Sequence, residues 1–163
     1  AAAFILGLSF VNDDNEARAV ETKWWKIAPN TCTILRSDLD DFSYADYGEL
    51  SIYGEGAIST VAYCPVLLPD GAIMNLLRIR TFLQGGLPAY TDAKVYLKRR
   101  KWDGTTATLA TADMDPGNTY NDAAMSYAVD NEIYQYVLKV YMYQTADATA
   151  RPGVDMIEIR YQI

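Results

Sequence analysis

Apolar and polar residues alternate with a period of two along most of this chain, which is typical of strands with one buried face. The clearest run is residues 133–143, in which every second residue from Tyr134 to Met142 is aromatic or aliphatic. In a second run, residues 154–162, isoleucines alternate with charged side chains. The dipeptides Asp70-Gly71 and Asp103-Gly104 predict tight turns between such runs.

These runs predict an all-β chain with about ten strands and turn signals at regular intervals. The predicted strands are residues 19–28, 31–36, 49–53, 57–68, 72–83, 93–102, 105–112, 124–129, 133–143 and 154–162. No long segment combines a helical period with caps. We therefore predict a β-sandwich with jelly-roll-like or Greek-key connections, and a barrel is the lesser alternative.

The first eleven residues, AAAFILGLSFV, form an apolar run without a charge. Read as a strand, the run places its large side chains Phe4, Leu6, Leu8 and Phe10 on one face. Residues 12–18 follow as a polar joint, and residues 19–163 are long enough for one domain with a core. The terminal strand must either complete its own sheet or fill a groove of a neighbouring subunit.

We favour donation of this strand to a neighbour, with residues 3–11 inserted into the next subunit. Burying the four large side chains would contribute about 6–12 kcal/mol, at about 1.5–3 kcal/mol each. Strand addition that does not close on itself produces an open filament. The predicted polymerisation contacts are Phe4, Ile5, Leu6, Leu8 and Phe10.

Composition excludes several classes of function. The formal net charge of −7 argues against binding of nucleic acid or of an anionic membrane. The apolar run at residues 1–11 is far shorter than the roughly 20 residues of a membrane span. Because the sequence contains no histidine, Ser-His-Asp and Cys-His catalysis are absent, and we predict that the protein is not an enzyme.

The two cysteines, Cys32 and Cys64, are too far apart in sequence for a C-x-x-C motif. In an acidic, strand-rich chain this pair favours an extracellular disulfide, with two buried free thiols as the alternative. The Ala-Ala-Ala start without a methionine suggests a processed, secreted product. We expect a secreted protein at the cell surface.

Two further groups of residues suggest ligands. Asp38, Asp40 and Asp41 could supply oxygen ligands to Ca²⁺, although a solvated acidic loop is the simpler interpretation. A sugar-stacking platform could form from exposed aromatic residues, namely Trp24, Trp25, Trp102, Tyr141 and Tyr143. Because adjacent residues of a strand point to opposite faces, only one of Trp24 and Trp25 can belong to the core.

Three segments resemble secreted β-sandwich domains of unassigned activity in prokaryotic surface and extracellular proteins. The segments are residues 62–72 (AYCPVLLPDGA), 130–140 (DNEIYQYVLKV) and 157–161 (IEIRY). The terminal run separately resembles the donor strand of subunits that polymerise by strand exchange, such as chaperone–usher pilins. The resemblance implies an extracellular β-sandwich with a non-catalytic role.

We therefore expect a structural subunit of an extracellular filament, assembled by donor-strand exchange with copies of itself. The alternative is a carbohydrate-binding or adhesin module that recognises a glycan. A third possibility is a capsid or surface-layer subunit, which would form closed shells or sheets.

Overall fold

The computed structural model of the chain describes residues 20–35, 42–44, 49–52, 57–84, 91–115, 120–145 and 151–163. Within these ranges the chain forms eleven strands, and its one helical segment is a 3-10 turn at Pro29–Thr31. The strands are β1 (Thr22–Ile27), β2 (Thr33–Ile34), β3 (Phe42–Tyr44), β4 (Leu50–Ile52), β5 (Ile58–Val66), β6 (Ile73–Gln84), β7 (Thr91–Lys101), β8 (Thr106–Asp113), β9 (Tyr120–Ala128), β10 (Tyr134–Gln144) and β11 (Arg151–Gln162).

The strands form two antiparallel sheets, which confirms the predicted β-sandwich. The five-stranded sheet has the order β2-β5-β10-β7-β8. The six-stranded sheet has the order β3-β4-β11-β6-β9, and β1 also pairs with β11. Because β6 occupies one edge of β11 along its length, β4 and β1 share the other edge, at opposite ends of that strand.

The core lies between the two sheets and is made of the inward residues of each alternating strand. In β10, Leu138 and Val140 are fully buried, whereas the intervening Lys139 is partly exposed on the outer face. The largest fully buried side chains are Leu50, Ile52, Met74, Leu77, Ile79, Val95, Leu97, Leu138, Val140, Met142, Ile157 and Ile159. The predicted alternation of β6, β7, β10 and β11 is therefore confirmed.

Three predicted loops contain strand residues. The segment 37–48, predicted to be an acidic loop, contains β3. β9 begins at Tyr120, within the loop predicted at residues 113–122. The second residue of this strand, Asn121, is polar but faces inward, where its side-chain amide donates a hydrogen bond to the Thr81 hydroxyl. β11 begins at Arg151 although Pro152 and Gly153 read as turn residues. The Phe82 ring of β6 occupies the space that a side chain at Gly153 would need, so this position of the strand requires glycine.

The structure joins Cys32 and Cys64 in a disulfide. Cys32 immediately precedes β2 and Cys64 lies in β5, so the bridge fastens the short edge strand of the five-stranded sheet to its neighbour. Both cysteines are buried against the core. The bridge spans a sequence separation of 32 residues, which is a long loop for a cross-link in a chain of this size.

Several predictions concern residues outside the described ranges. The proposed polymerisation contacts Phe4, Ile5, Leu6, Leu8 and Phe10 and the joint 12–18 lie there, as do Asp38, Asp40 and Asp41. Donor-strand exchange and the calcium site therefore stay predictions. Across the described ranges, no helix has the length and apolar character needed to cross a membrane.

We expect the disulfide to contribute about 3–4 kcal/mol to the free energy of unfolding, because closing a loop of this length restricts the unfolded chain. Urea unfolding of the oxidised and the dithiothreitol-reduced protein measures this difference without changing any side chain. The Cys32→Ala, Cys64→Ala double variant is the control, since its stability should not respond to reductant. Equal unfolding midpoints for the oxidised and reduced protein would contradict the prediction.

Candidate functional site

The outer face of the five-stranded sheet carries tyrosine and lysine side chains on three neighbouring strands. We call it the Tyr–Lys face. Its members are Tyr63 on β5, Lys94, Tyr96 and Lys98 on β7, and Lys139, Tyr141 and Tyr143 on β10. Each of these side chains is partly exposed, and the residues before and after it in its strand are buried. Lys98 is the exception to this alternation, because the next residue, Arg99, is only half-buried.

Strand register brings the central members of the Tyr–Lys face together. Lys139 lies on the middle strand, directly opposite Tyr63 on one side and Tyr96 on the other. In the adjacent row, Tyr141 lies opposite Lys94. Directly opposite residues of an antiparallel pair have Cβ atoms about 4.5–5.5 Å apart, so these side chains form one continuous surface.

The ammonium groups of this surface rest on aromatic rings. The Nζ atoms of Lys98 and Lys139 each lie 5.8 Å from the centroid of the Tyr96 ring. The Nζ atom of Lys139 also lies 6.0 Å from the Tyr141 ring. These distances are within the range of a cation–π interaction, so Tyr96 is flanked by two positive charges.

Only one of the three lysines on this face has a carboxylate partner among the described residues. The Nζ atom of Lys94 lies 3.2 Å from Asp92 and 3.4 Å from Asp113. The hydrogen bond to Asp92 is the main reason that the pKa of Lys94 is raised above its ordinary value. Within the described ranges, Lys98 and Lys139 form no ion pair, and their positive charges remain uncompensated.

The outer face of the six-stranded sheet is different, because its cations are matched by carboxylates or an amide. Its contacts, given as the shortest distances between polar atoms, are Lys26 to Glu158 at 2.6 Å, Arg78 to Asp122 at 2.7 Å, Arg80 to Asp155 at 2.7 Å and Arg160 to Asn75 at 2.6 Å. Arg78 donates two hydrogen bonds to Asp122 and thereby lowers the pKa of that carboxyl. Three of these four cations are thus neutralised by a carboxylate of the protein, whereas Arg160 is hydrogen-bonded to a neutral amide.

A groove of about 650 Å³ extends the Tyr–Lys face toward one end of the sandwich. On the sheet side it is lined by Tyr63, Pro65 and Val137, and Leu68 and Asn131 line it at the loops. Its lining combines apolar side chains with a few polar groups, which is the usual composition of a small-molecule site.

A second depression, of about 250 Å³, lies next to this groove, and Gln135 lines both. Trp102, Arg100 and Lys101 of the β7–β8 hairpin line it as well. The Trp102 side chain is 82% exposed, and its indole Nε1 donates a hydrogen bond of 3.3 Å to the Glu132 carbonyl. Its ring is thus exposed at the tip of the hairpin in a fixed orientation.

Hydrogen bonds between two loops fix the end of the groove. The backbone N–H of Asn131 donates to the Asp70 carboxylate at 2.8 Å, and its side-chain amide donates to the Leu68 carbonyl at 3.0 Å. Gly71, at φ +75°, provides the left-handed conformation of the first loop. The Tyr136 hydroxyl accepts a hydrogen bond from the Asp130 backbone N–H, and burial raises the pKa of this phenol.

The aromatic residues predicted to form one platform are divided by the structure. Tyr141 and Tyr143 belong to the Tyr–Lys face, and Trp102 lies near its end. Trp24 lies on the outer face of the other sheet, beneath the Arg78 guanidinium, and is therefore not part of the platform. Trp25 is partly buried and packs against the core from the opposite face of β1, so it does not lie on the same surface as Tyr141 and Tyr143.

Sequence reasoning did not single out Tyr63, Tyr96 or Lys139. Alternation could place each on the outer face of its own strand. It could not show that β5 and β7 both pair with β10, which is what brings the three residues into one row. Lys98 begins the basic run of residues 98–101, and its ammonium group lies over the Tyr96 ring.

The described residues contain no group of three or more Cys, Asp or Glu side chains placed to hold a metal ion.

No protein-family model and no curated protein matches the chain. One similar solved structure is that of the Clostridium thermocellum xylanase 10B CBM22-1–GH10 modules complexed with xylohexaose. The identity is 14%, the match covers 83% of this chain and 25% of that chain, and the TM-score is 0.43. TmCBM61 in complex with β-1,4-galactotriose is similar at 12% identity, covering 87% of each chain, with a TM-score of 0.41. A structure of carbohydrate-binding modules from the β-sandwich superfamily is 13% identical over 85% of this chain and 55% of that chain, with a TM-score of 0.43. Likeness at this level carries no inference about a ligand.

We expect the Asn131→Asp substitution to lower the free energy of unfolding by about 1 kcal/mol, because a carboxylate would face the Leu68 carbonyl that now accepts a hydrogen bond. Denaturant unfolding at neutral pH measures the change. Asn30→Asp, in the exposed 3-10 turn, is the matched control. If both variants unfold at the same denaturant concentration, the contact between the two loops contributes nothing to stability.

Proposed function

We propose that this β-sandwich is an extracellular, non-catalytic domain that binds a glycan on the Tyr–Lys face. The observation that carries the proposal is the row formed by Tyr63, Lys139 and Tyr96, with Tyr141 in the adjacent row. It supplies aromatic rings and hydrogen-bond donors within one continuous surface. A glycan-binding module, which the sequence suggested as the alternative, is therefore our first proposal, and a filament subunit is the second.

Aromatic rings can contact the apolar face of a sugar, and ammonium groups can contact the hydroxyl groups at its edge. The C–H groups on one face of a pyranose ring are weakly positive and pack well on the negative face of an aromatic ring. The hydroxyl groups at the edge of the sugar need polar partners, which the lysine ammonium groups and the tyrosine hydroxyls can provide. The groove beside Tyr63 and Val137 gives such a ligand a place to continue along β5 and β10.

A protein interface is a poorer match for this surface. Tyrosine is enriched in interface cores, but lysine is depleted there because its ammonium group is costly to bury. Lys139 occupies the centre of the Tyr–Lys face, and Lys98 and Lys94 lie on the neighbouring strand. A hydrated ligand that leaves these ammonium groups in contact with hydroxyls avoids that cost.

The disulfide between Cys32 and Cys64 supports an extracellular location, because such bonds persist in oxidising compartments. The lack of histidine in the sequence supports a role in binding rather than in catalysis. Together they support a domain that attaches to a glycan outside the cell.

We expect Tyr96→Ala and Tyr141→Ala each to weaken glycan binding by about three- to tenfold, since each removes one stacking ring. Affinity electrophoresis in gels containing soluble polysaccharides identifies a ligand, and titration calorimetry with its oligosaccharide measures the loss. Tyr120→Ala is the matched control, because Tyr120 is 49% exposed on the outer face of the other sheet. The proposal would be contradicted if Tyr96→Ala and Tyr141→Ala bound the glycan as tightly as Tyr120→Ala and the unmodified protein. It would also be contradicted if the protein bound none of the polysaccharides tested.

A filament subunit remains a second proposal, favoured by the uncharged apolar run of residues 1–11. Read as a strand, this run has one face of large apolar side chains that could fill a groove of a neighbouring subunit.

If the terminal strand joins subunits, deletion of residues 1–11 should leave a monomer that forms no fibres in negative-stain electron microscopy. Leu8→Asp should act in the same way, because it introduces a charge on the face with the large side chains. Ser9→Asp, on the opposite face, is the control for the charge itself. Fibres formed by the truncated protein, or their absence from the full-length protein, would refute the role of this strand.

A further inference from the structure

We propose that the ligand of the Tyr–Lys face is an anionic polysaccharide, whose carboxylate or sulfate groups pair with Lys98 and Lys139. The inference rests on the glycan-binding function proposed above and adds the chemical class of the ligand.

The positions of the two ammonium groups support an anionic partner. Both lie 5.8 Å from the centroid of the same ring, that of Tyr96, and they approach it from different strands. A sugar that packs beside Tyr96 would therefore have two ammonium groups close to its substituents. A negatively charged substituent of that sugar could pair with either of them.

The contrast between the two outer faces strengthens this inference. On the six-stranded sheet, Arg78, Arg80 and Lys26 are each neutralised by a carboxylate of the protein. Lys98 and Lys139 have aromatic contacts but no carboxylate among the described residues. An anionic ligand would therefore pair with these lysines without first breaking an ion pair of the protein.

The overall charge disfavours a nucleic acid as the ligand. The chain carries a net charge of −7, which repels a phosphate backbone that continues beyond the Tyr–Lys face. A polysaccharide carries its anionic groups on the sugar rings themselves, so one residue of it could contact a tyrosine and a lysine together.

Matched pairs of charged and uncharged glycans test the proposal. One pair is hexagalacturonate and its methyl ester, in which the carboxylates are neutral, measured by titration calorimetry. The other is dextran sulfate and dextran, measured by affinity electrophoresis. We expect an anionic member to bind at least tenfold more tightly than its neutral partner. Raising the salt concentration from about 0.05 M to about 0.5 M should reduce this preference, because screening shortens the range of the interaction.

Lysine variants then locate the charge recognition. Lys98→Gln and Lys139→Gln should each weaken binding of the anionic glycan by about three- to fivefold and leave binding of its neutral partner unchanged. Lys23→Gln, on β1 of the other sheet, is the matched control and should bind both like the unmodified protein. Tyr96→Ala should weaken binding of both members of a pair.

The outcomes separate this inference from the proposed function. If the charged and neutral members bind equally, or if only other neutral glycans bind, the anionic preference is refuted and glycan binding stands. If no glycan binds at all, both proposals fail. Tighter binding of a single-stranded oligonucleotide than of either anionic glycan would also refute the inference. A preference for hexagalacturonate identifies carboxylates as the recognised groups, and a preference for dextran sulfate identifies sulfates.

Discussion

The pairing of β10 with both β5 and β7 is the constraint on which the candidate site depends. β10 runs through the middle of the five-stranded sheet, and its pairing with β7 continues without a bulge from Tyr134 to Gln144. A shift of one residue in this register would exchange the outer and inner faces of a strand. The buried Leu138 and Val140 prevent such a shift, because it would expose them and bury the Lys139 ammonium group. The packing of the core therefore fixes the arrangement of the surface.

The end of the sandwich depends on a second set of contacts. Residues 62–72 and 130–140 are far apart in sequence, but the hydrogen bonds of Asn131 to Asp70 and Leu68 hold their loops together. Tyr136 adds a buried contact to the backbone of the second loop. These two segments shape one end of the groove, and the members of the Tyr–Lys face lie mainly on the neighbouring strands.

Electrostatics distinguish the two outer faces of the sandwich. Exposed ion pairs of the kind found on the six-stranded sheet usually contribute little to stability, but they cancel the charges that would otherwise attract ligands. Arg78 shows this, since Asp122 accepts its hydrogen bonds and Trp24 and Tyr120 lie against its guanidinium. On the Tyr–Lys face, Lys98 and Lys139 lie against tyrosine rings and have no carboxylate partner among the residues that the structure describes. A protein with a net charge of −7 can thus present a locally positive surface.

The sequence by itself determined the fold class, most of the strands and the outward or inward direction of residues within each strand, because alternation is a local property. It also indicated the pairing of Cys32 with Cys64, since only two cysteines are present. The sequence pattern predicted later starts for β9 and β11 than the structure has, because polar residues and turn formers such as Asn121 and Pro152 lie inside these strands.

Only the tertiary structure decided which outward residues meet. Trp24 and Trp25 had to face opposite ways, but which of them packs against the core depends on the register of β1 with β11, which places Trp25 opposite the buried Ile159. Tyr63, Tyr96 and Lys139 come from three strands, and their meeting depends on register between segments that are distant in the chain. The register of paired strands depends on the packing of many buried side chains from distant segments, so it cannot be predicted from a short stretch of sequence.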